Sequence, residues 1–288
     1  MAIYASKGDR LNDVTIYPEA IKGISRRGGR VSGAGRNLSS FWQDCPVGAI
    51  RTDPGMGCIV EDSFVDLGLS GAITNIISSA GMGRYLVFGG ATATITPDEE
   101  LGGGMVLTLT DNNQPVSITT KQTPFQITSG AGTLWFEARI KISSIVINEQ
   151  SFFVGLMDAT AQDATHPLSA AGALADQNLV GFHFPELNTT AFDTSYKADL
   201  VAAVEVNSNV GTLVEGTYVR LGMRFDTSNN VLSFYIDGVS QATCKIIPDA
   251  TGDDFPADVT LAPVVACMTA VDTTETLTMD WWKIAQLR

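Results

Sequence analysis

A chain of 288 residues with a hydrophobic share of 44%, thirteen Phe, six Tyr and four Trp holds enough apolar matter to bury a large core, which excludes a disordered protein. Its formal net charge of −13 sets an acidic body against nucleic acid and anionic membranes, because contact with either meets like-charge repulsion. No apolar run approaches the ~20 residues of a membrane span. The opening MAIYASKGDR also lacks an apolar signal-peptide core, so a cytoplasm-like site of synthesis is expected.

The charge is unevenly placed. Residues 1–50 carry seven Lys/Arg against four Asp/Glu, and residues 51–288 carry eleven against twenty-seven. Residues 1–58 show almost no periodicity and read as an extended basic, Gly/Arg-rich N-terminal arm. GISRRGGRVSGAGR, residues 23–36, sets Arg26, Arg27, Arg30 and Arg36 beside Lys22 without one acid. Three readings stay open for this run. A solvated linker would be merely soluble; a nucleic-acid arm would bind phosphates weakly and salt-sensitively; a protein-docking arm would pair guanidinium forks with carboxylates. Phe41 and Trp42 favour docking, since paired aromatics are interface anchors. The expected partner-binding set is therefore Lys22, Arg26, Arg27, Arg30, Arg36, Phe41 and Trp42.

From Ile59 onward the pattern is that of strands. In TLWFEARIKI, Leu134, Phe136, Ala138, Ile140 and Ile142 share one face, while Trp135, Glu137, Arg139 and Lys141 share the other. The stretch DTSNN joins two such runs in VRLGMRFDTSNNVLSFYIDG, and Asp237-Gly238 turns the chain back again. SGAITNIISSA, residues 70–80, is the one candidate helix. Residues 159–178, small and punctuated by Pro and Gly, read as a long surface loop. Regular short strands with turn chemistry between them predict an all-β, antiparallel two-sheet sandwich over residues 59–288.

Catalytic chemistry is sparse. His166 and His183 lie seventeen residues apart, the first as a turn residue and the second on a strand. Glu137 and Glu205 are isolated on their strands and read as solvated sheet face, without the paired carboxylates of glycoside hydrolysis. Asp249, Asp253, Asp254 and Asp258 crowd one loop, read as an acidic turn rather than a cation site. No phosphate-cradling loop is present. Cys45, Cys58, Cys244 and Cys267 have no metal-ligand spacing and read as free thiols, with a Cys45–Cys58 bridge as the alternative. No enzyme, cofactor or metal is expected.

The succession FEARIKI, FFVGLMDA, VGFHF, VRLGMRFD, FYIDGV and ETLTMDWWKI resembles concanavalin A-like (laminin-G-like) jelly-roll sandwiches, and more particularly a group of tailed-phage virion proteins. The resemblance covers residues 59–288. It implies a jelly roll preceded by the arm, in a capsid decoration (cement) protein. Such a protein adheres to the major capsid protein on the phage head, assembles as a homo-oligomer (a trimer would suit local three-fold positions) and contacts neither nucleic acid nor membrane. The alternative is a carbohydrate-binding sandwich, less readily a carbohydrate-cleaving one, at a virion tail or head surface. Trp135, Trp281 and Trp282 are its candidate stacking platforms, and alternation turns one ring of the adjacent pair inward.

Overall fold

The computed structural model of the chain describes residues 40–65, 71–72, 84–90, 92–100, 102–158, 166–169, 172–187, 190–201, 204–246, 255–257 and 259–288. Period-2 sequence produces the strands. The five inward residues of Leu134–Ile142 have at most 2% of their surface exposed. Leu221, Met223 and Phe225 of the paired strand are equally buried. The turns obey local chemistry: Asn230 has φ 53°, and Asp237 and Gly238 have φ 50° and 80°. These left-handed conformations suit Asn, Asp and Gly at tight hairpins.

Numbered along the chain, one sheet runs β14 (Val239–Ile246), β13 (Val231–Ile236), β12 (Val219–Asp226), β7 (Leu134–Ile142), β16 (Glu275–Leu287), β5 (Met105–Leu109), β4 (Thr94–Pro97) and β2 (Gly71–Ala72). A ninth strand, β1 (Gly57–Asp62), also pairs with β16. We call this sheet A. Sheet B runs β11 (Val204–Thr212), β10 (Ala191–Lys197), β9 (Leu179–Phe184), β8 (Gln150–Asp158), β15 (Leu261–Thr269), β6 (Pro115–Thr120) and β3 (Tyr85–Gly89). Every pairing between these strands is antiparallel.

The inner faces of the two sheets form one core. Phe182 of sheet B meets Phe234 of sheet A edge-on, with centroids 5.5 Å apart, and Phe152 stacks on Phe184 at 5.5 Å. Burial of each such ring stabilises the fold by about 1.5–3 kcal/mol. β8 and β15 are buried on both faces, because a second apolar cluster forms on the outside of sheet B. There Phe153, Met157, Leu179, Val264, Ala266 and Met268 pack under Leu168 and Leu174. The long loop expected at 159–178 thus spends part of its length covering a sheet.

The chain divides into two compact units, Met1–Cys45 and Pro46–Arg288. Residues 46–58, read from sequence as the end of the arm, fold with the sandwich: Val47–Thr52 form a short helix, α1, with Ile50 buried, and Gly57 opens β1. Within the first unit, Ser40–Asp44 make a 3₁₀ turn. Cys45, Cys58 and Cys267 are in no disulfide, so the Cys45–Cys58 bridge is not formed. The candidate helix at 70–80 lies outside the described residues apart from Gly71–Ala72, which form β2. The acidic turn Asp249–Asp258 falls outside them at all four acids.

β8 and β9 approach each other closely at Gly155, which pairs with Gly181. A Cβ at Gly155 would lie 2.2 Å from the Val180 carbonyl oxygen, and one at Gly181 would lie 2.3 Å from that of Val154. Gly181→Ala must therefore push two core strands apart and should destabilise the fold by about 1–3 kcal/mol, measured by chemical denaturation. A neutral effect would show that the pair has room to relax.

Candidate functional site

The candidate site arises from how β16 is built. Its first half pairs with β5 and its second half with β1, while β7 runs along its other side. The register slips between Met279 and Trp281. Leu277 and Met279 face the core before the slip, and Trp282 and Ile284 face it afterwards. This bulge places Asp280 and Trp281 consecutively on the outer face. Trp282 is 1% exposed and packs against Phe64 and Tyr85 at 5.5 and 5.8 Å.

Trp281 lines an open groove of about 390 Å³ at this change of partner, together with Glu61, Asp62, Ser63, Trp282 and Lys283. One wall is rigid. Asp62 accepts hydrogen bonds from the Tyr85 hydroxyl, from Arg84 and from the Phe64 backbone N–H at 2.8 Å. Burial works against its charge, yet these bonds outweigh burial and hold its pKa below the usual carboxylate range. Glu61 pairs with Arg51 of α1 on the surface, and Lys283 stands in register between Glu61 and Glu137. Beyond Trp281 the outer face continues as charge pairs: Arg139 with Asp280 and Lys141 with Glu100. The guanidinium of Arg139 lies 3.9 Å from the centroid of the Tyr218 ring. The Tyr218 hydroxyl donates to Glu100 at 3.2 Å, and burial followed by the charges of Asp98 and Glu100 raises the pKa of this phenol.

The structure separates the sequence-predicted residues. Trp282 is in the core and Trp135, although on the outer face, is 2% exposed; neither offers a ring to a sugar. Trp281 alone of the three is part-exposed. Glu137, expected on a solvated face, is buried at 3%. The Glu205 side chain lies outside the described residues. So do Lys22, Arg26, Arg27, Arg30, Arg36 and the Phe41 side chain, whereas Trp42 is buried. The sequence reading missed the bulge, although its signal is legible: the apolar positions 277 and 279 are out of phase with 282 and 284.

Both histidines serve packing. His183 on β9 bonds the Gly172 carbonyl at 2.7 Å, and the Leu168 N–H donates to His166 Nδ1 at 3.1 Å. Both are buried where segments 166–169 and 172–178 lie on sheet B.

No protein-family model matches the chain, and no curated protein sequence does. Solved structures do match it. Peanut lectin in complex with a nine-residue peptide superposes with a TM-score of 0.54 at 14% identity, over 81% of this chain and 98% of the lectin chain. A protein of unknown function from Shewanella oneidensis MR-1 gives 0.50 at 13% identity, over 87% and 95%. Arcelin-5, a lectin-like defence protein from Phaseolus vulgaris, gives 0.48 at 12% identity, over 81% and 100%. The chain is a concanavalin A-like jelly-roll sandwich. At these identities the likeness is one of fold.

Burial pushes the His166 pKa down to about 4, so the folded chain keeps this ring neutral where an unfolded chain protonates it near 6.5. Stability is thus fully present above about pH 6.5 and falls as the pH drops from there toward 4, by up to about 3 kcal/mol. Replacing His166 with Asn should shrink the difference in unfolding free energy between neutral and acid buffer. An unchanged difference would assign the acid sensitivity to other groups.

Proposed function

We propose that the sandwich is a carbohydrate-binding module whose site is the groove at Trp281. The observation that carries this reading is the bulge in β16, which turns a tryptophan outward into a concave, polar-walled groove. An indole face suits the apolar face of a sugar ring. Glu61, Asp62, Ser63 and Lys283 supply acceptors and donors for its hydroxyls, and the Asp62 carboxylate is held in one orientation by three donors before any ligand arrives. The engagement of the acids supports binding rather than cleavage: Glu61 is paired with Arg51 and Asp62 is tied to Tyr85 and Arg84. The likeness in fold to a lectin is in keeping with this reading.

Adhesion to a phage capsid is the second reading, carried by the arm's composition: five cations and no acid between Lys22 and Arg36. It predicts that the full-length protein sediments with capsid shells lacking it, and that a form without residues 1–45 does not.

Screening the full-length protein against a glycan panel, then titrating any hit by calorimetry, tests the main reading. Trp281→Ala should weaken binding by at least about tenfold while leaving thermal stability nearly unchanged, because the ring lies outside the core. Retained affinity in this variant would exclude the groove, and an empty panel would remove the reading altogether.

A further inference from the structure

One end of the sandwich differs in character from the rest of the described surface. Among the described residues at this end are those of four loops: residues 143–149 between β7 and β8, 185–187 and 190 between β9 and β10, 213–218 between β11 and β12, and 270–274 between β15 and β16. Backbone hydrogen bonds lace them together. Asn148 N–H donates to the Glu186 carbonyl at 2.7 Å, Leu213 to Thr190 at 2.7 Å, Gly216 to Ile142 at 2.9 Å and Ala270 to Glu149 at 2.9 Å. The platform is therefore built, and apolar side chains stand out from it. Val146 and Ile147 are 49% and 47% exposed, Leu187 66% and Val214 61%. Aliphatic residues grouped in this way mark an interaction surface.

The charge within these four loops has one sign. These four loops contain Glu149, Glu186, Glu215 and Asp272 and no Lys or Arg. Glu186 is the most telling of them. It is 8% exposed, and its Oε2 has no hydrogen-bond partner among the described residues. A buried carboxylate oxygen left without a donor is costly, and here it sits beside exposed Leu187 and within one residue of the bond that brings Ile147 close. The surface asks for a partner that is apolar and cationic, and able to place a donor on Glu186.

This chain carries such a segment. Residues 21–36, IKGISRRGGRVSGAGR, combine two isoleucines with Lys22, Arg26, Arg27, Arg30 and Arg36 and contain no acid. Fully extended, the stretch from Arg30 to Ser40, where the 3₁₀ turn begins, can span about 35 Å, which is enough to reach a neighbouring molecule. We infer that the acidic, aliphatic loop end is the docking site for the arginine arm of a second copy of this chain, with an arm guanidinium donating to Glu186 and arm isoleucines packing on Ile147 and Leu187. The contact is heterologous: each copy offers an arm and receives one, so repetition closes a ring or extends a file of molecules. It is independent of the groove at Trp281.

Sedimentation velocity of the full-length protein over a range of concentrations tests this, with circular dichroism confirming that each variant is folded. The wild-type chain should self-associate, less strongly when salt is raised, because the pairing is partly ionic. Two sets of changes, Arg26→Ala with Arg27→Ala and Arg30→Ala in the arm, and Ile147→Asp with Leu187→Asp in the loop end, should each weaken association by at least about tenfold. Glu186→Gln should weaken it with little disturbance of shape. The decisive sample is a mixture of the arm variant and the loop-end variant. Each retains the half that the other lacks, so the mixture should form a heterodimer that neither forms alone. A wild-type chain that stays monomeric, oligomers indifferent to both sets, or a mixture that fails to associate would each overturn the proposal. Docking of the arm within its own molecule would appear as the first of these.

Discussion

The structure hangs on one strand that must satisfy three others. β16 is bonded along nearly its whole length to β7, yet on its other side it serves β5 and then β1, which enter from remote parts of the chain. Two strands laid end to end along a third leave a gap where one departs and the other begins. The slip at Asp280 falls in that gap. It resets which residues face inward, so that Trp282 can join Phe64 and Tyr85 in the core while its neighbour points the opposite way. The groove follows from the need to pass from one partner to the next.

The outer faces of the two sheets have been put to different uses. Sheet B is covered by its own chain: Leu168 and Leu174 close over Phe153 and Met268, with two buried histidines bonded into the cover. An apolar strand face needs such a cover, because exposing it to water would forfeit the burial that holds β8 and β15. Sheet A is covered in part, since Trp135 and Glu137 are buried on its outer face; further along, Arg139 with Asp280 and Lys141 with Glu100 are matched in charge across neighbouring strands. Exposed pairs of this kind add little stability. They do keep the face wetted and ordered, which is the setting in which a polar ligand can be recognised.

Much of this was legible in the sequence, and what was not had physical reasons. Alternation in LWFEARIKI, and Asn or Asp at the left-handed turn positions 230 and 237, report on backbone geometry decided within a few residues, so strands and hairpins could be read directly. The burial of Glu137 and Trp135 could not. Period-2 patterning tells which face a residue takes, but not what lies over that face. α1 escaped because six residues carry too little periodic signal, and its place depends on packing against β1. The roles of His166 and His183 depend on a cover contributed by Leu168, Gly172 and Leu174, whose sequence looks like an ordinary polar loop. The inside-out order of Trp281 and Trp282 was within reach, since the phase change between Met279 and Trp282 is written in the residues themselves.

The pairing of β1 with β16 also bears on the order in which the fold can assemble. Gly57 faces Leu287 across that ladder, so among the described strands the earliest and the latest in the chain are direct neighbours. β5 and β7 likewise have no shared neighbour until β16 arrives between them. A nascent chain therefore carries sheet A as two separate parts, with the facing edges of β5 and β7 and the whole of β1 unjoined until β16 is made, and the loop-closure entropy of these longest-range contacts is met only then. Slow, late-committing folding with a period of exposed strand edges is built into the topology, and the acidic body offers mutual repulsion as protection during that interval.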